Sequence, residues 1–390
     1  MYKIKTFNQI ASKGLDRFGR ENYEVSSDTL QPEAILLRSH KLQEEDIPES
    51  VLAIARAGAG VNNVPVEQLS KRGLVVFNTP GANANAVKEL VFAGMLLGSR
   101  GIQGGIEYVK EVVATSTSSD LNKQVEAAKK QFSGAELKDK TLGIVGLGAI
   151  GSLVADLALA FDMRVIGYDP ALSVEAAWRL SSQVEKAQNL QSLLAASDYI
   201  TLHVPAIPET QDMIDKNALS QVKKGAVLLN FARASIVNEL AVLDALNNNQ
   251  LSKYINDFPS TVFAERDDVV SMPHLGASTA EAEQNCAVMA ADQLKDFLEN
   301  GNIKNSVNFP TVKLDRINAE RIIFANENVP KVLGNVLSIL ADHNVNVVDM
   351  VNKSRGELAY NIIDVELQGN ERVIDAIADI PHVLSIRLIN

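Results

Sequence analysis

The stretch that decides the fold begins Thr141-Leu-Gly-Ile-Val-Gly-Leu-Gly-Ala-Ile-Gly151 and closes on Arg164-Val-Ile-Gly-Tyr-Asp169. An apolar strand (Thr141 to Gly146) enters a glycine turn, a helical pattern (Ile150 to Phe161) follows, and a second strand ends on an acid. This is the layout of a dinucleotide-binding βαβ unit. Gly146, Gly148 and Gly151 supply the G-x-G-x-x-G spacing: the first permits the tight turn, the second lets backbone approach a pyrophosphate, and the third lets helix and strand pack closely. Asp169 stands 23 residues after Gly146. A carboxylate there accepts hydrogen bonds from an adenine ribose and repels a 2′-phosphate, so the expected cofactor is NAD rather than NADP.

The 390-residue chain is long enough for two or three domains with ample core. Hydrophobic residues make up 46% and charged residues 22%, an ordinary globular balance. The formal net charge of −11 argues against non-specific nucleic-acid binding and against adhesion to anionic membranes. An anionic substrate therefore has to be held by local basic groups. No apolar run approaches the ~20 residues that span a bilayer. Cys286 is the single cysteine, which excludes an intrachain disulfide and suits a reducing, cytoplasmic setting; its place on an apolar helix face reads as packing. No metal is expected.

Working outward from the fingerprint, residues 1–95 alternate apolar strands (Ala34 to Arg38, Leu52 to Arg56, Leu74 to Phe77) with helical or turn segments, a small α/β unit. Ala86 to Arg100 has helical periodicity and runs toward the next domain. Ala114 to Asp120 is rich in Ser and Thr and reads as an exposed loop. Strands follow at Tyr199 to Val204, Ala226 to Phe231, Lys253 to Asp257 and Val269 to Met272, which with the fingerprint make a doubly wound parallel sheet. Ser278 and Glu281 have capping-box spacing at the head of a helix running from Thr279 to Asn300, which Gly301 stops. After a linker (Asn302 to Asn318), Arg321 to Glu327, Pro330 to His343, Val345 to Lys353, Leu358 to Gln368, Arg372 to Ile380 and Val383 to Leu388 read β, α, β, β, α, β, a ferredoxin-like order. The expected domains are a flavodoxin-like substrate domain (1–95 plus 280–310), a Rossmann NAD domain (96–279), a short linker (311–318) and a terminal module (319–390).

Hydride chemistry on such a fold needs a proton shuttle and a cation. Ligands of open α/β sheets gather at the carboxyl ends of the strands, and two residues stand there. His274 follows the last strand of the sheet and is the expected acid/base. Arg233 follows the strand Ala226 to Phe231 and can fork onto a 2-keto oxygen and its neighbouring carboxylate. Phe231, Ala232, Gly276 and Ala277 flank these two on the cofactor side.

These motifs, taken in order, resemble the D-isomer-specific 2-hydroxyacid dehydrogenases, and within them the phosphoglycerate-oxidising branch that carries a C-terminal ACT domain. The resemblance rests on Leu37-Arg38-Ser39, Arg56 to Asn63, Asn78 to Asn83, Asp198 to Pro205, the Arg233 segment, Pro273 to Thr279, and Asn305 to Pro310. It implies NAD-dependent oxidation of D-3-phosphoglycerate to 3-phosphohydroxypyruvate in a homodimer or homotetramer. It places Gly58, Ala59 and Gly60 at the substrate carboxylate through their N–H groups, with Arg38, Ser39 and Asn83 completing that wall and Lys129 or Lys130 reaching the phosphate. It sets Ala149 and Ile150 at the pyrophosphate, Val204, Pro205 and Thr210 at the dinucleotide's edge, and Asp257 at the nicotinamide amide. Reduction of a smaller 2-keto acid (glyoxylate, hydroxypyruvate or 2-oxoglutarate) is the alternative, and an NAD-sensing scaffold without turnover is the third reading.

Two departures from the family pattern stand out. The family pairs its histidine with a glutamate five residues after the aspartate matched by Asp257, but that position is Val262. Glu265 is the nearest candidate replacement, set against a plain surface-loop role. In the terminal module Asn328 and Asn346 resemble serine-binding asparagines, yet Asn326 stands where histidine is common and Lys331 where glycine is usual. Assembly of subunits is therefore the expected role of that module, with amino-acid sensing as the alternative.

Overall fold

The computed structural model describes residues 1–367 and 369–390, with nothing stated for the side chains of 118, 119 and 175; Gln368, the last residue of one expected strand, lies outside the described residues. Three sheets carry the described residues. The first is parallel: β1 (Tyr2–Thr6), β2 (Tyr23–Ser26), β3 (Ala34–Leu37), β4 (Ala53–Arg56) and β5 (Val75–Phe77), in the order β2-β1-β3-β4-β5. That is the flavodoxin-like order expected of this domain. β3, β4 and β5 are buried on both faces, as strands of a parallel sheet covered on both sides must be. β1 and β2 were not foreseen: in Tyr2–Thr6 only Ile4 is fully buried, so lysines interrupt the apolar run that reveals the central strands.

The second sheet is also parallel and has seven strands. They are β6 (Thr141–Val145), β7 (Arg164–Tyr168), β8 (Glu185–Lys186), β9 (Tyr199–Leu202), β10 (Ala226–Asn230), β11 (Leu251–Asn256) and β12 (Val269–Ser271), ordered β12-β11-β10-β9-β6-β7-β8. The order reverses at β6/β9, the switch point beside which the doubly wound fold binds dinucleotides. The helix Ala84–Ser99 packs on the helix Ala149–Ala160 and on β10 and β11, so it groups whole with this sheet, and the boundary falls at 83/84 rather than near 95. The expected loop Ala114 to Asp120 is corrected to the junction of two helices, Ile102–Thr115 and Ser118–Ala128. Serine and threonine favour turns and helix starts alike; Thr117 stands at the N-cap of the second helix, its hydroxyl donating to the Asp120 carboxylate at 2.6 Å.

The third sheet is antiparallel: β13 (Glu320–Glu327), β14 (Asn346–Arg355), β15 (Leu358–Glu366) and β16 (Val383–Ile389), ordered β14-β15-β13-β16, the ferredoxin-like arrangement expected. One face carries Ile322, Phe324 and Ile363 against the helices Val332–Asp342 and Arg372–Ala378. The other presents Ile323, Ala325, Tyr360 and Ile362 to the helix Ala280–Asn300 and the first sheet, in one continuous core with Phe77, Phe297 and Leu298. On this same face Arg321 and Asp364 form a fully buried pair at 2.6 and 2.7 Å, and the guanidinium also donates to Asn300 O, Leu314 O and Asp315 O. Tyr360 Oη donates to Gly301 O, and Arg387 donates to Leu298 O while lying over the Phe297 ring. The terminal carbonyls of the helix Ala280–Asn300 thus find partners in the terminal module, satisfying groups that a helix end leaves orphaned. By contact density the chain forms two compact units, Met1–Asn83 with Ala280–Asn390, and Ala84–Thr279. No helix among the described residues is long and apolar enough to cross a membrane.

Candidate active site

In the nucleotide unit the fingerprint turn leaves the sheet at the carboxyl end of β6. Gly146 has φ +93°, and a Cβ there would sit 2.6 Å from His203 O; a Cβ on Gly151 would sit 2.0 Å from Gly146 O. Neither position admits a side chain. Around Gly148, by contrast, a Cβ meets nothing within 4 Å, and exposure begins at this residue. The following helix, Ala149–Ala160, starts at Gly148 without a side-chain cap, so no side chain occupies the amides of its first turn. Close packing below and bare helix amides above are what a pyrophosphate requires. Asp169 accepts from Leu147 N (2.8 Å) and Ala171 N (2.9 Å), which holds its carboxylate beside the turn. The residues present fit NAD.

Val204 is half-buried and Pro205 exposed after β9. The Thr210 hydroxyl is committed inside its own loop: it donates to Pro205 O at 2.6 Å and accepts from Ile207 N. Phe231 and Ala232 are buried, with the Phe231 ring against Gly94. His203, passed over as a strand end, has a buried Nδ1 with no partner, and its Nε2 meets Thr201 Oγ1 at 3.0 Å. Burial pushes this imidazole down to about 3, so it is neutral at pH 7.

Arg233 is exposed at the carboxyl end of β10, its Nη1 donating to Ala232 O at 2.6 Å. Buried Asn230 organises the turn beneath it, donating to Arg233 O and accepting from Ala232 N. His274 lies at the carboxyl end of β12, exposed, with φ +58°, in the left-handed region uncommon for residues other than glycine. Three consecutive residues of the neighbouring strand end hold it there. The Asn256 side chain ties Ser271 Oγ to Phe258 N. Asp257 is 1% exposed, and its two oxygens accept from Leu275 N and Gly276 N, each at 2.7 Å. The Phe258 ring meets the imidazole edge-on, with centroids 5.2 Å apart. Ala277 is exposed at the end of this loop.

Among the described residues no carboxylate contacts His274. Val262 packs into the apolar core beside Phe263, while Glu265 is exposed at φ +61° with no hydrogen bond or ion pair. Glu265 thus has the geometry of a surface loop. Asp257 was expected at a nicotinamide amide, and the structure gives both its oxygens to the His274 loop. Lys129 is paired with Glu126, and Lys130 is exposed.

In the other unit the carboxyl ends of β3, β4 and β5 bring together Arg38, Ser39, Gly58, Ala59, Gly60 and Thr79. The Gly58 amide is already bonded to Arg56 O at 2.8 Å, and its carbonyl accepts from Thr79 N. The amides left to meet a ligand are those of Ala59 and Gly60, not of all three residues. Ser39 is fixed by its amide, which donates to Asn8 Oδ1. Asn83 is half-buried at the end of this unit. Sequence reading passed over Arg56: it donates from Nε to Arg38 O, and its Nη1 lies where a Gly58 Cβ would be 2.1 Å away. The signal was present in the Arg56-Ala57-Gly58 motif, since only glycine lets that guanidinium fold over the loop. Glu283 was also missed; it pairs with Arg38 at 2.6 Å.

The two parallel sheets, the fingerprint turn and the clamped histidine define a nucleotide-dependent oxidoreductase of the doubly wound class. The family model of the D-isomer specific 2-hydroxyacid dehydrogenase NAD binding domain matches residues 106–276. D-3-phosphoglycerate dehydrogenase of Escherichia coli K12 is 31% identical over 412 residues, covering 99% of this chain and 96% of that protein. The chain belongs to the D-isomer-specific 2-hydroxyacid dehydrogenases, and its nucleotide domain is their NAD-binding domain. D-3-phosphoglycerate dehydrogenase of Methanocaldococcus jannaschii is 32% identical over 89% of this chain, which spans 64% of that relative's length. Among solved structures, NAD+-bound 3-phosphoglycerate dehydrogenase of Entamoeba histolytica superposes with a TM-score of 0.61 at 27% identity, covering 79% of this chain and 98% of its own.

Proposed function

We propose that this protein oxidises D-3-phosphoglycerate at C2 to 3-phosphohydroxypyruvate with NAD. The observation that carries the chemistry is the clamp on the His274 loop: an exposed histidine at a strand end, in a left-handed backbone conformation, sits on a loop whose next two amides are held by a buried carboxylate. The names of the relatives that match nearly end to end support the substrate.

NAD, when bound, supplies the hydride acceptor. His274 takes the proton of the C2 hydroxyl, and Arg233 donates to the C2 oxygen and so favours the ketone as it forms. The amides of Ala59 and Gly60, with Arg38, Ser39, Arg56 and Asn83, hold the substrate's anionic groups. Asp257 acts through the loop it anchors, as a positioning residue. Reduction of a smaller 2-keto acid is a second reading, favoured by one observation: Arg38 already carries a carboxylate partner, which lowers the charge available to a phosphate.

A steady-state panel of D-3-phosphoglycerate, D-glycerate, glyoxylate, hydroxypyruvate and 2-oxoglutarate with NAD(H) and NADP(H) tests this. D-3-phosphoglycerate with NAD is expected to give the highest kcat/KM. His274→Ala is expected to lose roughly 10²- to 10⁴-fold in kcat. Undiminished turnover in that variant refutes the mechanism, and absence of turnover in the unaltered protein leaves an NAD-binding scaffold.

A further inference from the structure

The pairing of Arg38 with Glu283 joins two elements far apart in the chain. Arg38 leaves the carboxyl end of β3, and Glu283 projects from the first turn of the helix Ala280–Asn300. Arg38 Nη2 lies 2.6 Å from Glu283 Oε1, and the two side chains are 39% and 40% exposed. The Arg38 backbone is pinned, since its carbonyl accepts from both Arg56 Nε and Asn63 Nδ2. One helical turn beyond Glu283, the buried Cys286 thiol feels the charges of Arg56, Arg38 and Glu283 together. Two strand-end guanidiniums and one carboxylate therefore share a single patch, which Arg56, bonded to Arg38 O and folded over Gly58, carries to the glycine loop.

Resting on the substrate reading above, we propose that Glu283 is a built-in competitor for the substrate's anionic group at Arg38, and thereby a specificity-determining residue. The closest approach of the pair is one nitrogen, Arg38 Nη2, to one oxygen, Glu283 Oε1, whereas carboxylate and phosphate ligands of arginine prefer a two-pronged approach. A half-exposed ion pair contributes little stability, so the carboxylate yields readily to a better-fitting anion. The displaced Glu283 then stands next to that anion and repels it. The repulsion grows with the ligand's charge, so it weighs more on a phosphorylated acid than on a plain one, and it hastens release of a charged product. Replacing the carboxylate by an isosteric amide keeps a hydrogen-bond acceptor for Arg38 and removes the repulsion.

The test compares the unaltered protein, Glu283→Gln, Arg38→Met and the double variant. KM and kcat are measured with D-3-phosphoglycerate and with D-glycerate. In parallel, binding of inorganic phosphate is followed by calorimetry, which does not depend on turnover. Glu283→Gln is expected to lower KM for D-3-phosphoglycerate on the order of tenfold, a fall larger than any change in kcat. Phosphate is expected to bind correspondingly tighter, and both gains are expected to vanish when Arg38 is also replaced. A larger fall for the phosphorylated acid than for D-glycerate supports the specificity role; an equal fall for the two acids overturns it. KM and phosphate affinity that stay unchanged or worsen in Glu283→Gln overturn the proposal. If neither acid is turned over by the unaltered protein, the substrate reading fails, and the calorimetric comparison alone decides the competitor role.

Discussion

Replacing Asp257 separates a clamp from a cofactor contact. Its two oxygens each accept a backbone amide at 2.7 Å, from Leu275 and Gly276, and the residue is 1% exposed. A hydrogen bond to a charged group contributes about 1.5–3 kcal/mol, so the pair holds the His274 loop with roughly 3–6 kcal/mol. Asp257→Asn keeps one acceptor and turns an NH2 toward the other amide, leaving a buried donor unmet at about 1–3 kcal/mol. Asp257→Ala leaves both amides unmet. The loop then drifts, and a displacement near 1 Å costs on the order of 100-fold in rate. Nicotinamide absorbance gives kcat and KM, fluorescence titration gives the NAD Kd, and urea unfolding gives stability. The clamp predicts that kcat falls about 10-fold in Asp257→Asn and about 100-fold or more in Asp257→Ala, with stability falling in the same order and NAD affinity nearly unchanged. A rise in the NAD Kd with kcat preserved at saturating NAD would refute this reasoning and return Asp257 to the nicotinamide.

Two further outcomes follow from buried polar groups. His203 is pushed down to about 3 in the folded chain by burial, below the unfolded value near 6.5. The unfolded state therefore binds the extra proton between those values, and the stability this neutral histidine gives above pH 6.5 is lost as pH falls toward 3. Unfolding free energies of unaltered protein and His203→Asn, from urea titration at each pH, should differ by an amount that changes on the order of 2 kcal/mol between pH 7 and pH 5; parallel profiles would count against it. For the Arg321–Asp364 pair, Asp364→Ala leaves a buried guanidinium uncompensated at about 3–5 kcal/mol, while Arg321→Met with Asp364→Leu should recover most of that loss. Proteolysis between Gly301 and Ala319 reads release of the terminal module, and equal cleavage in all three proteins would disprove the role of the pair.

The alternation of strands and helices from β6 to β12 was legible because strand burial, helix periodicity and glycine turns are written within a few residues of one another. The same holds for the placement of Arg233 and His274, each one turn beyond an apolar strand. The loop expected at Ala114 to Asp120 failed for a local reason too: cap residues and turn residues are the same types, and composition does not say which. Asp257 was seen as a strand-end acid, but what its oxygens meet depends on a loop 18 residues away.

By itself the sequence determined three α/β and α+β layers, the NAD-type fingerprint with Asp169, and the two strand ends at which Arg233 and His274 stand. These depend on period, turn geometry and short spacing. Tertiary structure alone decided that Asn256, Asp257 and Phe258 hold the His274 loop, that Arg56 folds over Gly58, and that Arg38 meets Glu283. It also decided that Arg321 and Asp364 are sealed against the end of the helix Ala280–Asn300. Such partners are chosen by packing between elements distant in the chain, and a charged side chain carries no local mark of the opposite charge it will meet once the core has closed.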